Sequence, residues 1–289
     1  MSAPRSPSQA MELMARETRA AYGPVPHSLD GIAIGPGFRL FAGGQFLLRC
    51  ESGYGYHYVP GAGVTIERPE GGDPDEETLW LYGSVYGAVA CLNGLYPLHA
   101  SAVALEGKVH AFTGPSGAGK STLVAALGQR GVPMFCDDTL LLDLSDPARI
   151  VALPGHKRLK LTPEALALTG TAAQQPVGAE TGKSYAAPPA GDVREPLPLA
   201  RLVFLEPGPV CQWQAIGGAE RFARLADDHY TQDLYREAVR PDREMQFALR
   251  ARLAAQVDMA RLVRPFSAEG FAASLDLAAA RLGVAGKGE

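Results

Sequence analysis

Residues 109–122 read Val-His-Ala-Phe-Thr-Gly-Pro-Ser-Gly-Ala-Gly-Lys-Ser-Thr. Gly114, Gly119, Lys120 and Ser121 satisfy G-x-x-x-x-G-K-[ST], the phosphate-binding loop. The flanks agree with the motif. Val109 to Thr113 is a short, mostly apolar run that suits a buried strand, and Leu123 to Gln129 suits a helix. In such a loop, glycines let the backbone wrap a phosphate, and the helix N-terminus adds partial positive charge. The expected cradle is Gly114, Ser116, Gly117, Ala118, Gly119, Lys120, Ser121 and Thr122. Lys120 would reach the outer phosphates and the Ser121 hydroxyl would hold Mg²⁺. A hydrolase elbow, G-x-S-x-G, fails because Ala118 stands where its second glycine belongs.

Downstream, the strand-like run Val132–Cys136 ends at Asp137-Asp138. In α/β sheets, sites collect at such strand ends. Two adjacent carboxylates can divide the work: one completes a Mg²⁺ shell, the other accepts a proton from an attacking hydroxyl. The structural alternative is an Asp-Asp turn or helix cap. Upstream, His99 lies in the run Leu98 to Leu105, where a core histidine and a functional one are both open. Glu106-Gly107 links this run to the loop strand as a hairpin turn. Arg130-Gly131 closes the loop helix.

Further along, Pro154 to Lys160 carries three cations, Lys157, Arg158 and Lys160. They either face transferring phosphoryl charge or form a solvated surface. Thr162–Leu168 reads as a short helix with Pro163 in its first turn. Thr169 to Pro198 is polar, Gly/Ala/Pro-rich and irregular, and a loop of that length is functional or disordered. Lys183 within it suits a lid that closes on a nucleotide, the alternative being a linker lysine. Glu206 is a weaker third carboxylate, after the strand Leu202–Leu205. Helices are expected over Ala219–Ala226, Thr231–Ala238, Arg243–Val257 and Ala268–Leu282, with a strand at Arg261–Val263 and a disordered tail.

Before the motif, residues 1–10 read as disordered and Met11–Tyr22 as a helix. Short alternating runs between Gly31 and Glu67 predict a β-rich unit. This gives an N-terminal unit over 1–75 and an α/β domain with C-terminal helices over 76–285. Leu79–Tyr96 is long and nearly uncharged, but its Gly83, Gly87, Asn93 and Gly94 predict a buried helix and not a membrane span.

The 289 residues, 46% of them hydrophobic, suffice for a sizeable core. A net charge of −4 offers no general nucleic-acid surface, so neither nucleic acid nor membrane is an expected partner. The four cysteines form no C-x-x-C pattern and read as reduced thiols of a cytoplasmic protein. No signal-peptide pattern opens the chain.

Leu98-His99-Ala100-Ser101, the loop Phe112 to Ser121, Arg130-Gly131 and Asp137-Asp138, at these spacings, resemble the core of HPr kinase/phosphorylase. They resemble more closely the HPr-kinase-like serine kinases, including those of lasso-peptide clusters. The likeness covers about 77–206. It implies a fold shared with phosphoenolpyruvate carboxykinase, ATP and Mg²⁺ as cofactors, and an acceptor serine on a protein or peptide, a lasso-peptide precursor among the options. It implies Asp137 as catalytic acid/base, Asp138 with Ser121 on the metal side, and His99 near the transferred phosphate. Lys120, Arg158 and Lys183 complete the expected catalytic set. Nothing in Thr169–Pro198 aligns with the Gly-rich signature of the HPr enzymes, so the resemblance does not by itself imply their phosphorylase activity, their acceptor or their hexamer. A small-molecule hydroxyl kinase and a non-catalytic nucleotide-binding module are the alternatives, and the sequence leaves the oligomeric state open.

Overall fold

The computed structural model describes residues 4–178, 181–226 and 230–284. Expectations for residues 1–3, 179–180 and the tail 285–289 lie outside them. The chain opens with α1 (Pro7–Glu17), which begins earlier than the sequence suggests. Ser6 supplies the reason. Its hydroxyl accepts from Gln9 N, and the Gln9 side chain reaches back to Ser6 N, a reciprocal cap with Pro7 in the first turn. The helix stops at Glu17, and 20–22 are extended as β1 (Ala20–Tyr22), not helical. A two-stranded ribbon, β2 (Ser28–Leu29) and β3 (Ile32–Ala33), leads to β4 (Phe38–Ala42), β5 (Gln45–Arg49), β6 (Gly55–Val59) and β7 (Gly63–Glu67). These form a five-stranded sheet in the order β1-β7-β6-β5-β4. The sheet lies within residues 20–67.

Asp73 then caps α2 (Pro74–Trp80), and a π-helical stretch, Leu81–Val85, runs into α3 (Tyr86–Leu92). The helical run ends before Tyr96, which opens a strand. No helix among the described residues is long and apolar enough to cross a membrane.

The central sheet follows. Strands β8 (Tyr96–Leu105) and β9 (Lys108–Thr113) form the anticipated hairpin. Glu106 (φ 51°) and Gly107 (φ 69°) both take the left-handed conformation that a two-residue I′ turn requires. The glycine-rich loop leads from β9 into α4 (Lys120–Gln129), whose Leu123, Val124 and Leu127 are buried. Next come β10 (Met134–Cys136) and β11 (Thr139–Asp143), both antiparallel to β8. Cys136 faces Ala102 and Thr139 faces His99, so the register holds across the break and sets Asp137 opposite Ser101.

After β12 (Val151–Leu153), β13 (Leu159–Leu161) and α5 (Pro163–Thr169) lies the stretch expected to be irregular. It carries two short strands, β14 (Gln175–Pro176) and β15 (Ser184–Ala186), which join β13 in a three-stranded sheet. Then β16 (Leu197–Pro207) runs parallel to β9, longer than the four residues anticipated. The edge strand β17 (Gln212–Ala215), unanticipated, is followed by α6 (Gly218–Arg224), α7 (Tyr230–Val239) and α8 (Arg243–Gln256). The chain closes with β18 (Asp258–Arg264), parallel to β16, and α9 (Ala268–Leu282). The result is a mixed α/β molecule. Because β9, β16 and β18 are parallel, their C-terminal ends lie side by side.

Candidate functional site

A cleft of about 190 Å³ opens where the C-terminal end of β9 meets the break between β10 and β11. Ser116, Gly117, Gly119, Lys120, Ser121 and Thr122 line one wall. His99, Ser101, Asp137 and Asp138 line a second, and Lys160, Thr162 and Lys183 a third.

The loop is built for close approach. Gly114 (φ 152°) and Gly119 (φ 85°) hold conformations that side chains oppose, and a Cβ on Gly114 would meet Leu205 O at 2.9 Å. At Gly117 (φ 83°) a Cβ would meet nothing within 4 Å, so there only conformation demands glycine. Lys120 is buried, and its Nζ donates to Gly114 O (2.9 Å) and Pro115 O (3.1 Å). Its ammonium is thus folded back along the loop and opens α4, whose N-terminus favours negative charge.

The two aspartates differ. Asp137 is 3% exposed and fully engaged. Its Oδ1 accepts from Ser101 Oγ (2.5 Å) and Ser121 Oγ (2.7 Å), and its Oδ2 from Lys160 N (3.0 Å). Asp138 takes φ 71°, rare for a residue with a side chain and tolerated best by Asp and Asn. That turn, closed by Thr139 N on Asp137 O (2.9 Å), swings the second carboxylate away from the first. Asp138 Oδ2 meets Lys160 Nζ at 2.7 Å, and its Oδ1 lies 3.5 Å from His99 Nδ1. Burial works to raise the Asp138 carboxyl, but the Lys160 charge and hydrogen bond, with His99 and Lys120, hold it below the ordinary carboxylate range. Burial likewise opposes the Lys160 charge, and Asp138 raises it above the ordinary value.

His99 Nδ1 also lies 3.1 Å from Asp138 O. The Nδ1–H tautomer would donate to that carbonyl and leave Nε2 as the acceptor nitrogen. Thr113 Oγ1 donates to His99 O (3.1 Å), tying the end of the loop strand to the histidine.

The three cations of 154–160 go to different places. Lys160 enters the cleft. Arg158 lies over the Tyr185 ring, 5.1 Å from its centroid. Lys157 donates to Phe135 O, and burial lowers its amine to about 8. Gly155 brings this segment onto the aspartate turn, since a Cβ there would stand 2.8 Å from Cys136 Cβ and 3.0 Å from Thr139 O. Lys183 reaches the cleft from the residue before β15, fixed there because Ser184 pairs with Leu161. Glu206 pairs with Arg224 at 2.8 Å and does not line the cleft.

Three contributors escaped the sequence reading. In the sequence Ser101 stands out only as part of a run, and strand register explains its place. Lys160 was one of three equivalent cations. Arg264 lies 145 positions from Gly119 in sequence, yet its Nη2 donates to Ala118 O at 2.7 Å. Its one sequence signal was the end of an expected strand, Arg261–Val263, parallel to the loop strand's neighbour.

No protein-family model matches the chain, and no curated protein matches it. Among solved structures, the Hpr(Ser) kinase/phosphatase from Coxiella burnetii aligns with 66% of this chain and 99% of its own, at 13% identity and a TM-score of 0.33. That similarity is too distant to transfer a residue role or a substrate.

Proposed function

We propose that this chain is an ATP- and Mg²⁺-dependent kinase that phosphorylates a hydroxyl, in the first instance a serine on a protein or peptide. One observation carries the reading: the Ser121 hydroxyl, at the head of α4, donates to Asp137, and Asp138 stands next to it in the same cleft. A polyphosphate suits the loop, whose glycines, helix terminus and Lys120 supply close approach and positive charge. Mg²⁺ suits Ser121 and Asp137, two hard oxygen donors 2.7 Å apart. No group of three or more His, Cys, Asp or Glu side chains able to hold a metal occurs among the described residues. When bound, Mg²⁺ would neutralise charge on the transferring phosphoryl group.

The geometry favours the reverse of the roles implied by the resemblance. Asp137, locked on Ser121, belongs on the metal side. Asp138 belongs to the acceptor hydroxyl, where it would take the proton, with His99 beside it. Lys160, paired with Asp138, and Lys183 supply positive charge to the cleft. One observation favours the rival, a nucleotide-binding module without transfer: Lys160 already occupies Asp138.

Single-turnover transfer from γ-labelled ATP to serine peptides, run across a Mg²⁺ titration, tests both points. Asp138→Asn should lose roughly 10²–10⁴-fold in rate, the contribution of a general base, and extra Mg²⁺ should not restore it. Asp137→Asn should shift the Mg²⁺ requirement upward and recover in part. The opposite pattern would reinstate the first assignment. Nucleotide binding without transfer or hydrolysis under any condition would favour the module.

A further inference from the structure

Arg264 is 5% exposed, at the C-terminal end of β18. Among the described residues no carboxylate lies within ion-pair distance of it. Its neighbours are the Phe266 and Phe271 rings, 5.6 and 5.3 Å from the guanidinium carbon, and the Ala118 carbonyl at 2.7 Å. Its Nε is buried without a hydrogen-bond partner. Burial pulls its basicity below the ordinary arginine range, with Cys211 working slightly the other way. A buried cation without a counter-ion is costly, and chains keep one chiefly where something repays it. Here the guanidinium sits directly under the loop: a Cβ on Gly119 would stand 2.2 Å from its Nη2.

We infer that Arg264 is a polyphosphate-affinity residue, a fixed positive charge beneath the loop whose counter-ion is the bound phosphate chain. It acts through the loop and does not touch the ligand. Lys120 gives charge from within the cradle and Arg264 from behind it. Its hydrogen bond to Ala118 O also holds the Ala118–Gly119 peptide of the loop in place. The inference rests on the reading of 114–121 as a phosphate cradle.

The test is calorimetric affinity for ATP and for inorganic tripolyphosphate, with wild type, Arg264→Lys, Arg264→Gln and Arg264→Met. Melting temperatures check that each variant is folded. Arg264→Gln and Arg264→Met should lose on the order of ten-fold for both ligands, the scale of one charge acting across several ångströms at intermediate dielectric. Arg264→Lys should recover most of it, and the wild-type affinity should fall more steeply with salt than that of Arg264→Gln. Equal losses in the Lys and Gln variants would mean that shape, not charge, matters, and would overturn the inference. So would wild-type affinity in Arg264→Gln. If the wild type binds neither ligand, the phosphate-cradle reading itself fails and the inference goes with it. Should Arg264→Met not fold, the Lys–Gln comparison alone decides.

Discussion

At the scale of single residues, the site depends on where a side chain is forbidden as much as on where one acts. Gly155 carries no chemistry, yet it lets the segment bearing Lys160 rest on the aspartate turn. Gly155→Ala would drive a methyl against Cys136 and the Thr139 carbonyl. Overpacking of this kind costs roughly 1–3 kcal/mol. We expect lower thermal stability together with a transfer rate reduced beyond what the unfolded fraction explains, because Lys160 and Asp138 are displaced. Unaltered single-turnover rates at a lowered melting temperature would show that the two are not coupled. Lys120→Ala should abolish transfer and weaken ATP binding, and calorimetry showing wild-type affinity would remove the phosphate-loop assignment. The loop residues and the aspartate pair were legible in the sequence because their chemistry is local and their spacing fixed. The division of labour proposed within the pair was not. It depends on Asp138 adopting a left-handed backbone and on Ser101 lying across a strand register, and neither is written in neighbouring letters.

At the scale of elements, the stretch 169–198 shows why composition misleads. Gly, Ala and Pro predicted an irregular loop, but the backbone of 184–186 finds partners in Leu159–Leu161, a pairing between segments some 25 residues apart. Strand propensity is a weak guide where cross-strand contacts decide. The consequence is that Lys160 rides on one small sheet, facing Tyr185 in its register, and Lys183 directly precedes a strand of the same sheet. Gln175 Nε2 anchors that sheet to α2 through Asp75 (2.7 Å). A lid built this way should close as a unit. Lys183→Ala should weaken ATP binding roughly three- to ten-fold, a modest effect for a partly exposed charge. Proteolysis between 169 and 183 should slow in the presence of an ATP analogue and Mg²⁺, in wild type more than in Lys183→Ala. Equal cleavage in all four samples would make the sheet a passive cover.

At the scale of the whole molecule, the sequence suggested two units meeting near residue 75, and the strands β1 to β7 lie before that point. It could not show how the units meet. Phe46, Tyr56, Tyr58, Val64 and Ile66 of the first unit pack in one apolar cluster with Val85, Val89, Leu141, Val151 and Leu153 of the second. Ala10 and Met14 of α1 complete it. Polar ties run across the same boundary. Asn93 Nδ2 donates to Tyr58 Oη at 2.9 Å, and Arg39 holds Glu237 of α7 through two nitrogens at 2.6 and 2.7 Å. Leu141 lies on β11, two residues past the start of the strand that Asp138 leads into. The β-rich unit therefore packs on the back of the strand that presents the aspartates. A cluster continuous across the boundary has no surface along which to part, so the chain should unfold as one cooperative body. We expect a single calorimetric transition for the full chain. A fragment beginning at residue 68 should expose Val85, Val89, Leu141 and Leu153 together, bind hydrophobic dye and lack a cooperative transition of its own. Its affinity for ATP should be lost with its packing, although every residue of the cleft remains in the fragment. A soluble fragment that melts cooperatively and binds ATP as the full chain does would show that the nucleotide site needs nothing from the β-rich unit.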